Sequence, residues 1–407
     1  MINTSLSAPR GYPGGESQGE GEVPRRKSFV RSPYDEKDLS ACGLIGFVNR
    51  DRRRESGERI IRAIANMHDR GNGLGGGFAA YGIYPERADL YALHVMYDDP
   101  HDAKQVEEYL KRQVVVEAAE EIPLFESRRF SDHPYFKRYF VDLRERLNGH
   151  DNEGDYLVDT VMHINVNFEH AFVMSSGKNM GTFKGVGFPE DLGEFFRLPE
   201  YEGYIWTGHS RFPTNSPGWW GGAHPFALLD WTIVHNGEIS SYGINMRYVK
   251  MFGYECTLMT DTEVVAYLFD LLVRRHGLSF EDACKVLAPP FWKDIDVLEE
   301  EERFTLTHLR SVYASAALNG PFAFLLGFSG GIIGLNDRVK LRPLVVGRGG
   351  ESVYLSSEEA AIRTICPEVE EIWAPVAGEP VIVLLESVGE SRDGRGNQRQ
   401  RPVLQGA

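Results

Sequence analysis

The sequence contains few cysteines, and their spacing excludes several classes of site. Four occur among 407 residues, at positions 42, 256, 284 and 366, and no two of them form a Cys-x-x-Cys pair. Zinc ribbons and cysteine-ligated iron–sulfur clusters need clustered thiols, and disulfide frameworks belong to shorter chains with more cysteines. We therefore expect no metal, no cofactor and no disulfide framework in this chain.

Long apolar runs and an excess of positive charge are also missing. No run approaches the roughly 20 residues of a membrane helix, and the polar N-terminal stretch lacks the apolar core of a secretory signal. The net charge of −15 argues against nucleic acid or an anionic membrane as the main partner. The glycine-rich "GNGLGGG" at 71–77 lacks the Lys-Ser/Thr of a phosphate loop, and no Rossmann fingerprint occurs. We expect a cytoplasmic protein with no membrane partner and no nucleic-acid partner.

The composition is that of a globular protein, with 42% hydrophobic and 25% charged residues. Residues 1 to about 33 are polar and rich in Gly, Pro, Ser and Glu, which predicts disorder. Residues 391–407 are predicted to be a polar tail. Between these ends, residues 88–200 are expected to form an α+β insertion, in which "LYALHVMY" and "YLVDTVMHINVNF" are interpreted as strands.

Two segments outside the insertion have clear local signals. The apolar run "CGLIGFV", which starts at Cys42, predicts a buried strand. The segment "TDTEVVAYLFDLLVRR" predicts a helix, and Thr260 with Glu263 has the spacing of a capping box. Strand-rich blocks lie on both sides of this helix, which is compatible with two packed sheets.

Four short pieces of sequence carry the chemistry. They are Ala41-Cys42-Gly43, "GHSRFPTN" at 208–215, "HNGEI" at 235–239 and "TDTE" at 260–263. Each is weak evidence singly, because a cysteine heading a strand is usually a buried thiol, Asn-Gly favours a turn, and "TDTE" alone is a helix cap. Their joint order, with the cysteine at the expected start of the folded region, favours one common site.

Together these pieces resemble the class II, or N-terminal-nucleophile (Ntn), glutamine amidotransferases. "SRFPTNSPGWWGGAHPFALLDWTIVHNGEI" is most similar to the glutamine-hydrolysing domain of glutamate synthases, and "RGNGLGGGFAAYGIYPE" is similar to its stand-alone form. The resemblance covers residues 40–85 and 203–365. It implies an α+β fold, the four-layer αββα Ntn-hydrolase sandwich, within a domain at 42–390 that contains the 88–200 insertion.

The resemblance also implies a role for each matching residue. Cys42 would be the nucleophile, with Asn236 and Gly237 as oxyanion donors. Arg211 would bind the α-carboxylate of glutamine, and Asp261 would bind its α-ammonium. By the same resemblance Thr214 would contact the substrate.

Two further sets of residues receive no catalytic role. Three histidines, His209, His224 and His235, are interpreted as supporting or packing residues, and the other three cysteines as structural.

The 41 residues before Cys42 imply a processing step. An N-terminal cysteine can use its own α-amine, with an ordinary pKa near 8, as the base for its thiol. "YDEKDLSACG" resembles the propeptide junction of glutamate synthases. We therefore expect residues 1–41 to be a disordered propeptide removed between Ala41 and Cys42, and the uncut chain to be inactive.

The expected chemistry needs an acceptor for ammonia, which the resemblance places in another protein. The flavin-binding barrel and iron–sulfur cysteines of glutamate synthases are missing here, so we expect a separate FMN and iron–sulfur subunit. The acceptor, 2-oxoglutarate or another, cannot be read from the sequence. Two alternatives stay open: a catalytically silent amidotransferase-like binding or regulatory subunit with an uncleaved propeptide, and an Ntn hydrolase acting on another amide.

Overall fold

A computed structural model describes residues 42–144, 152–213 and 218–386. The expected propeptide, the expected polar tail and Thr214 lie outside the described residues.

The described chain is a mixture of strands and helices. The strands are β1 (Gly43–Asn49), β2 (Glu55–Ser56), β3 (Gly76–Tyr81), β4 (Tyr91–Tyr97), β5 (Val115–Glu121), β6 (Tyr135–Asp142), β7 (Ala171–Ser175), β8 (Met180–Gly185), β9 (Glu202–Gly203), β10 (Ile205–Ser210), β11 (Phe226–Leu228), β12 (Trp231–Gly237), β13 (Phe322–Phe328), β14 (Gly331–Asn336), β15 (Val345–Gly349), β16 (Ser352–Ser356), β17 (Glu371–Trp373) and β18 (Val381–Leu384). The helices are α1 (Glu58–Ala65), α2 (Asp102–Gln113), α3 (Glu153–Asn167), α4 (Pro189–Phe195), α5 (Tyr242–Lys250), α6 (Glu263–Phe269), α7 (Phe280–Leu287), α8 (Trp292–Ile295), α9 (Glu300–Val312) and α10 (Glu359–Ile365). A π-helical turn, Asp270–Arg275, continues α6, and 3-10 turns occur at His68–Arg70, Pro85–Arg87, Arg128–Phe130, Leu198–Glu200 and Ala314–Ala316.

Two antiparallel sheets form the centre of the molecule. The larger has the order β17-β15-β16-β1-β10-β3-β8, so the first strand of the described chain is its middle strand. The smaller has the order β11-β12-β13-β14-β18. Leu44 and Ile205 of the larger sheet pack with Val234, Leu325 and Ile332 of the smaller one, and all five are fully buried. Burial of each such side chain contributes about 1.5–3 kcal/mol to the free energy of unfolding.

Helices cover the outer face of each sheet. On the larger sheet, Ile60 and Ile64 of α1 and Ile362 of α10 pack in one cluster with Phe47. On the smaller sheet, α6 and α7 pack against Phe324 and its neighbours. The layer order is therefore helix, sheet, sheet, helix. This confirms the predicted α+β fold of the αββα type.

A third sheet, β5-β6-β4-β7, extends this sandwich. Residues 91–175 supply its four strands together with α2 and α3. Later residues of the range 88–200 return to the centre: β8 pairs with β3 in the larger sheet, and α4 packs beside α1. The inserted layer thus leaves the core after β3 and rejoins it at β8.

Two local predictions are wrong. The segment "YLVDTVMHINVNF", interpreted as a strand, lies in the helix α3. Its β-branched residues suggested a strand, but the side chain of Asn152, upstream of the segment, accepts the N–H of Asp155 at 2.8 Å and caps a helix. The residues buried along α3 then recur at helical spacing.

The predicted capping box at "TDTE" does not form. Helix α6 begins at Glu263, so Thr260 lies too far upstream to cap it. The Glu263 carboxylate instead accepts N–H groups from Thr257 and Leu258, at 3.2 and 3.0 Å. The Thr260 hydroxyl accepts the N–H of Thr262 at 3.2 Å. These bonds shape the loop before α6, which carries Asp261.

Within the described ranges, none of the helices is both long enough and apolar enough to cross a membrane.

Candidate active site

The ends of three strands bring distant motifs to one edge of the sandwich. Cys42 directly precedes β1 and Arg211 directly follows β10, and these strands are paired so that Gly43 faces Ser210. The backbone N–H of Phe212 donates to Cys42 Sγ at 3.2 Å. From the end of β12 in the smaller sheet, Asn236 Nδ2 donates to the carbonyl oxygen of Cys42 at 2.7 Å.

The surroundings of the Cys42 thiol act on its ionisation in opposite directions. Burial raises the pKa of the thiol, and the Asp261 carboxylate raises it further. The Phe212 N–H and the guanidinium groups of Arg211 and Arg342 lower it, but burial is the largest effect. The thiol with residue 41 still attached is therefore mainly neutral near pH 7, and its reaction as a nucleophile requires a base.

Gly237 lies where no other residue fits. Its φ is +138°, and an added Cβ would lie 1.9 Å from the carbonyl oxygen of Pro321. β12 can therefore end in this tight approach to β13 only with glycine. The close approach holds Asn236, the preceding residue, with its side chain beside Cys42.

The glycine-rich loop 71–77 packs against the side chain of Arg211. A Cβ on Gly75 would lie 2.9 Å from Arg211 Cδ, and the Gly75 carbonyl accepts the backbone N–H of Arg211 at 2.9 Å. Burial lowers the pKa of the Arg211 guanidinium, and Cys42 and Asp261 oppose the shift. An arginine guanidinium stays charged in proteins. A fixed, 4%-exposed cation beside the thiol can bind an anionic group of a ligand.

Asp261 is the anionic group of the site. Its Oδ2 accepts the backbone N–H of Ile239 at 2.8 Å, and its Oδ1 accepts the hydroxyl hydrogen of Thr262 at 3.1 Å. Because Ile239 belongs to the "HNGEI" motif, this contact joins the loop before α6 to the end of β12. The Asp261 side chain remains 27% exposed, so lone pairs are available to a ligand.

The three histidines singled out in the sequence form a buried cluster behind these residues. The rings of His209 and His224 stack with centroids 4.0 Å apart, and His209 Nε2 donates to the carbonyl oxygen of His235 at 2.8 Å. Burial lowers the pKa of all three, that of His209 to about 3. The imidazoles are therefore neutral at pH 7 and support the site rather than carry charge.

The buried histidines predict a loss of stability in mild acid. Each folded-state pKa lies below the unfolded value of about 6.5, so the unfolded chain binds more protons as the pH falls from 6.5 toward 3. The contribution of these histidines to the free energy of unfolding should be present in full above pH 6.5. Below pH 6.5 the free energy of unfolding should fall by up to about 1.4 kcal/mol per pH unit for each such group. Urea unfolding at pH 7.5 and 5.0 measures the difference.

A matched pair of variants assigns this effect. In His209→Gln the amide can still donate to the His235 carbonyl but cannot titrate, so the pH dependence should weaken. His308→Gln removes an exposed histidine and should leave the slope as in the wild type. Equal slopes in all three proteins would contradict the assignment.

Sequence reasoning missed three contributors to the site. The Phe212 N–H lies inside the quoted "SRFPT" motif, but a backbone donor has no sequence signal. Arg342, in the loop before β15, acts on the Cys42 thiol through its charge, and its position 131 residues after Arg211 gave no sequence signal. Thr262, in "TDTE", contacts His224, His235 and Asp261. Its position next to Asp261 was the one sequence signal that could have placed it in the site.

The assembled groups match the needs of amide hydrolysis on an amino-acid side chain. A thiol, an amide N–H₂ donor, a cation and an anion lie at one edge, contributed by Cys42, Asn236, Arg211 and Asp261. A cation and an anion in one pocket can bind both charged groups of a free amino acid. In the described ranges, no three His, Cys, Asp or Glu side chains are arranged to hold a metal ion.

Comparisons with known proteins agree with this chemistry. The family model for class-II glutamine amidotransferases matches residues 103–373. An uncharacterized protein of Archaeoglobus fulgidus is 53% identical over 86% of this chain and 94% of its own length. A putative glutamine amidotransferase of Methanothermobacter thermautotrophicus is 26% identical over 81% of this chain and 96% of its own.

One solved structure is similar at lower identity. The glutamine phosphoribosylpyrophosphate amidotransferase of B. subtilis is 15% identical, with a TM-score of 0.44 over 84% of this chain. The chain spans about half the length of that enzyme, 47%.

Proposed function

Because the chain belongs to the class II glutamine amidotransferase family, we propose that it hydrolyses the side-chain amide of glutamine with Cys42 as nucleophile. The observation that carries the proposal is the Asn236 amide donating to Cys42 at 2.7 Å, because it brings the "HNG" motif of the smaller sheet to the cysteine of the larger one. Arg211 and Asp261 then bind the α-carboxylate and the α-ammonium of glutamine. Thr214 remains a proposed substrate contact.

The reaction divides into two steps. The Cys42 thiol gives its proton to the base, and its sulfur attacks the side-chain carbonyl carbon of glutamine. Asn236 and Gly237 stabilise the resulting oxyanion. Collapse of this intermediate breaks the C–N bond, ammonia leaves with the transferred proton, and a thioester forms on Cys42. Water then attacks the thioester, releasing glutamate and restoring the thiol.

The base in this proposal is the α-amine of Cys42, freed by cleavage after Ala41. Support comes from the burial that keeps the uncut chain's thiol neutral, since the neutral thiol needs a proton acceptor beside it. With the preceding residues attached, that nitrogen is an amide and cannot accept a proton.

Intact mass, N-terminal sequence and glutamate release, measured on one preparation, test the proposal. A chain beginning at Cys42 that releases glutamate from glutamine is expected. Active protein that still carries residue 41 would refute the cleavage step. An inactive chain that begins at Cys42 and binds glutamine without hydrolysing it would refute catalysis and favour the silent binding subunit.

The ammonia acceptor completes the proposal. We infer a separate cytoplasmic partner subunit with FMN and iron–sulfur clusters, which would use the ammonia to make glutamate or a glutamate-like product. The similarity of the segments at 70–86 and 210–239 to glutamate synthases supports this partner. Glutamine-dependent product formation by the reconstituted pair tests it; a pair that uses added ammonia but never glutamine would contradict it.

Loss of the Asn236 amide should affect the chemical step. Asn236→Ala, in a chain that begins at Cys42, should lower kcat by about 10²- to 10³-fold, because one oxyanion donor disappears. KM for glutamine should change little, since the substrate's α-carboxylate and α-ammonium contacts remain. Steady-state glutamate release measures both constants.

A control separates this effect from damage to the fold. Asn179→Ala removes an amide whose Oδ1 accepts the N–H of Tyr84, away from the site, and should retain kcat. A normal kcat in Asn236→Ala would exclude the oxyanion role.

A further inference from the structure

The hydroxyl of Thr262 is the meeting point of three side chains. His224 Nε2 lies 3.0 Å from its Oγ1, His235 Nδ1 lies 2.9 Å away, and Asp261 Oδ1 lies 3.1 Å away. Thr262 is fully buried, and the two histidines are at most 5% exposed. A buried group with this many polar neighbours has little freedom to rotate.

Counting hydrogens gives the direction of each bond. The hydroxyl has one hydrogen, and the ionised Asp261 carboxylate can only accept, so the hydroxyl donates to Asp261. Its lone pairs must then accept N–H groups from both His224 and His235. The remaining ring nitrogens, His224 Nδ1 and His235 Nε2, have no partner among the described residues, as suits bare nitrogens of neutral rings.

We propose that Thr262, oriented by His224 and His235, is the positioning residue that aims Asp261 at the α-ammonium of the substrate. This inference rests on the proposed function and adds the selectivity of the site for α-amino acids. Asp261 Oδ2 is held by the Ile239 N–H and Oδ1 by Thr262, so both oxygens are fixed before the ligand arrives. A preordered carboxylate binds a cation without loss of rotamer freedom.

The histidines also link this subsite to the oxyanion donor. His235 precedes Asn236 in β12, and its carbonyl oxygen is held by His209, which stacks on His224. Thr262 receives its two N–H bonds from the same cluster. One buried cluster thus sets the positions of the proposed α-ammonium acceptor and of the proposed oxyanion donor.

A pair of substrates isolates the role of Thr262. Glutamine carries the α-ammonium, and glutaramate is the same amide without it. Thr262→Val removes the hydroxyl at nearly constant volume and should raise KM for glutamine by about 10- to 100-fold, the value of a hydrogen bond to a charged group. Its kcat should stay within about threefold, kcat/KM for glutaramate should be unchanged, and Thr262→Ser should restore KM for glutamine.

A second buried threonine provides the matched control. The Thr207 hydroxyl has no partner in the described part of the chain, so Thr207→Val should leave both substrates unaffected. If Thr262→Val lowered kcat/KM equally for glutamine and glutaramate, the residue would have only a structural role. If it altered neither, the proposal would also fail.

Ligand binding tests the inference without turnover. L-glutamate should raise the midpoint of thermal unfolding of the wild type more than glutarate does, because only glutamate has the α-ammonium. Thr262→Val should abolish this difference and Thr262→Ser should keep it. If Thr262→Val abolishes a difference that the wild type shows, and the wild type releases no glutamate, the proposed hydrolysis would be refuted while the role of Thr262 would be supported. A wild type with no difference would overturn that role.

Discussion

Replacement of Cys42 by alanine, in a chain that begins at this residue, should lower kcat for glutamine hydrolysis by at least about 10⁴-fold. Removal of a nucleophile leaves only the binding and oxyanion contributions to catalysis, and losses in other covalent enzymes are of this size or larger. Arg211 and Asp261, the proposed contacts of the α-carboxylate and the α-ammonium, remain in place, so glutamine should still bind. Glutamate release and the glutamine-dependent shift in thermal unfolding measure the two properties separately.

The other cysteines provide the control. Cys366 is also a partly exposed free thiol, but it packs against Gly349 in the larger sheet, so Cys366→Ala should retain kcat. A Cys42→Ala enzyme that keeps more than about one hundredth of the wild-type kcat would exclude covalent catalysis by Cys42. Trapping of a glutamyl thioester, seen by intact mass in the wild type and not in the variant, would support it directly.

Loss of the Arg211 charge should produce the second-largest effect. In the proposed site, Arg211→Gln leaves the buried α-carboxylate of glutamine without its cation, and removing one partner of a buried ion pair typically costs about 3–5 kcal/mol. We therefore expect kcat/KM for glutamine to fall by roughly 10²- to 10⁴-fold. Arg211→Lys should be intermediate, because it keeps the charge without the planar two-pronged geometry.

A truncated substrate assigns the loss to the carboxylate. In 4-aminobutanamide the α-carboxylate of glutamine is missing, so its kcat/KM should be low in the wild type and nearly unchanged in Arg211→Gln. A surface variant, Arg348→Gln, should match the wild type for both substrates. If Arg211→Gln lost activity equally toward both amides, Arg211 would act on the Cys42 thiolate rather than on the substrate.

Much of the site could be predicted because its residues lie in short, ordered motifs. The resemblance identified Cys42, Asn236 and Arg211, and the structure brings these residues together, although their roles remain proposals. The fold, also predicted from the resemblance, was confirmed by the structure. Local sequence patterns alone would not have predicted this fold, since two packed sheets depend on pairings between strands far apart in the chain.

The errors have a common physical origin. α3 was interpreted as a strand because its Val and Ile residues favour strands, whereas tertiary packing and the Asn152 cap determine a helix. At "TDTE" the spacing fitted a capping box, but the Glu263 carboxylate accepts N–H groups of the preceding loop instead. In both places, interactions outside the quoted segment decide the structure, and a short pattern cannot contain them.

The contacts of Thr262 were beyond sequence reasoning for a similar reason. Its two imidazole partners come from residue 224, in the loop before β11, and from residue 235, in β12. Neither position is a helical or strand neighbour of residue 262. Only the folded chain shows that these side chains share one hydroxyl.

The central place of β1 has a consequence for synthesis of the protein. This strand, which carries Cys42 at its start, lies between β10 and β16, and Leu44 bonds to Ser357, 313 residues later. A ribosome must therefore complete most of the chain before the larger sheet can close on both sides of β1. Pairings of such long range also slow folding. Chains that end before β16 therefore lack one of the two strands that flank β1 in the larger sheet.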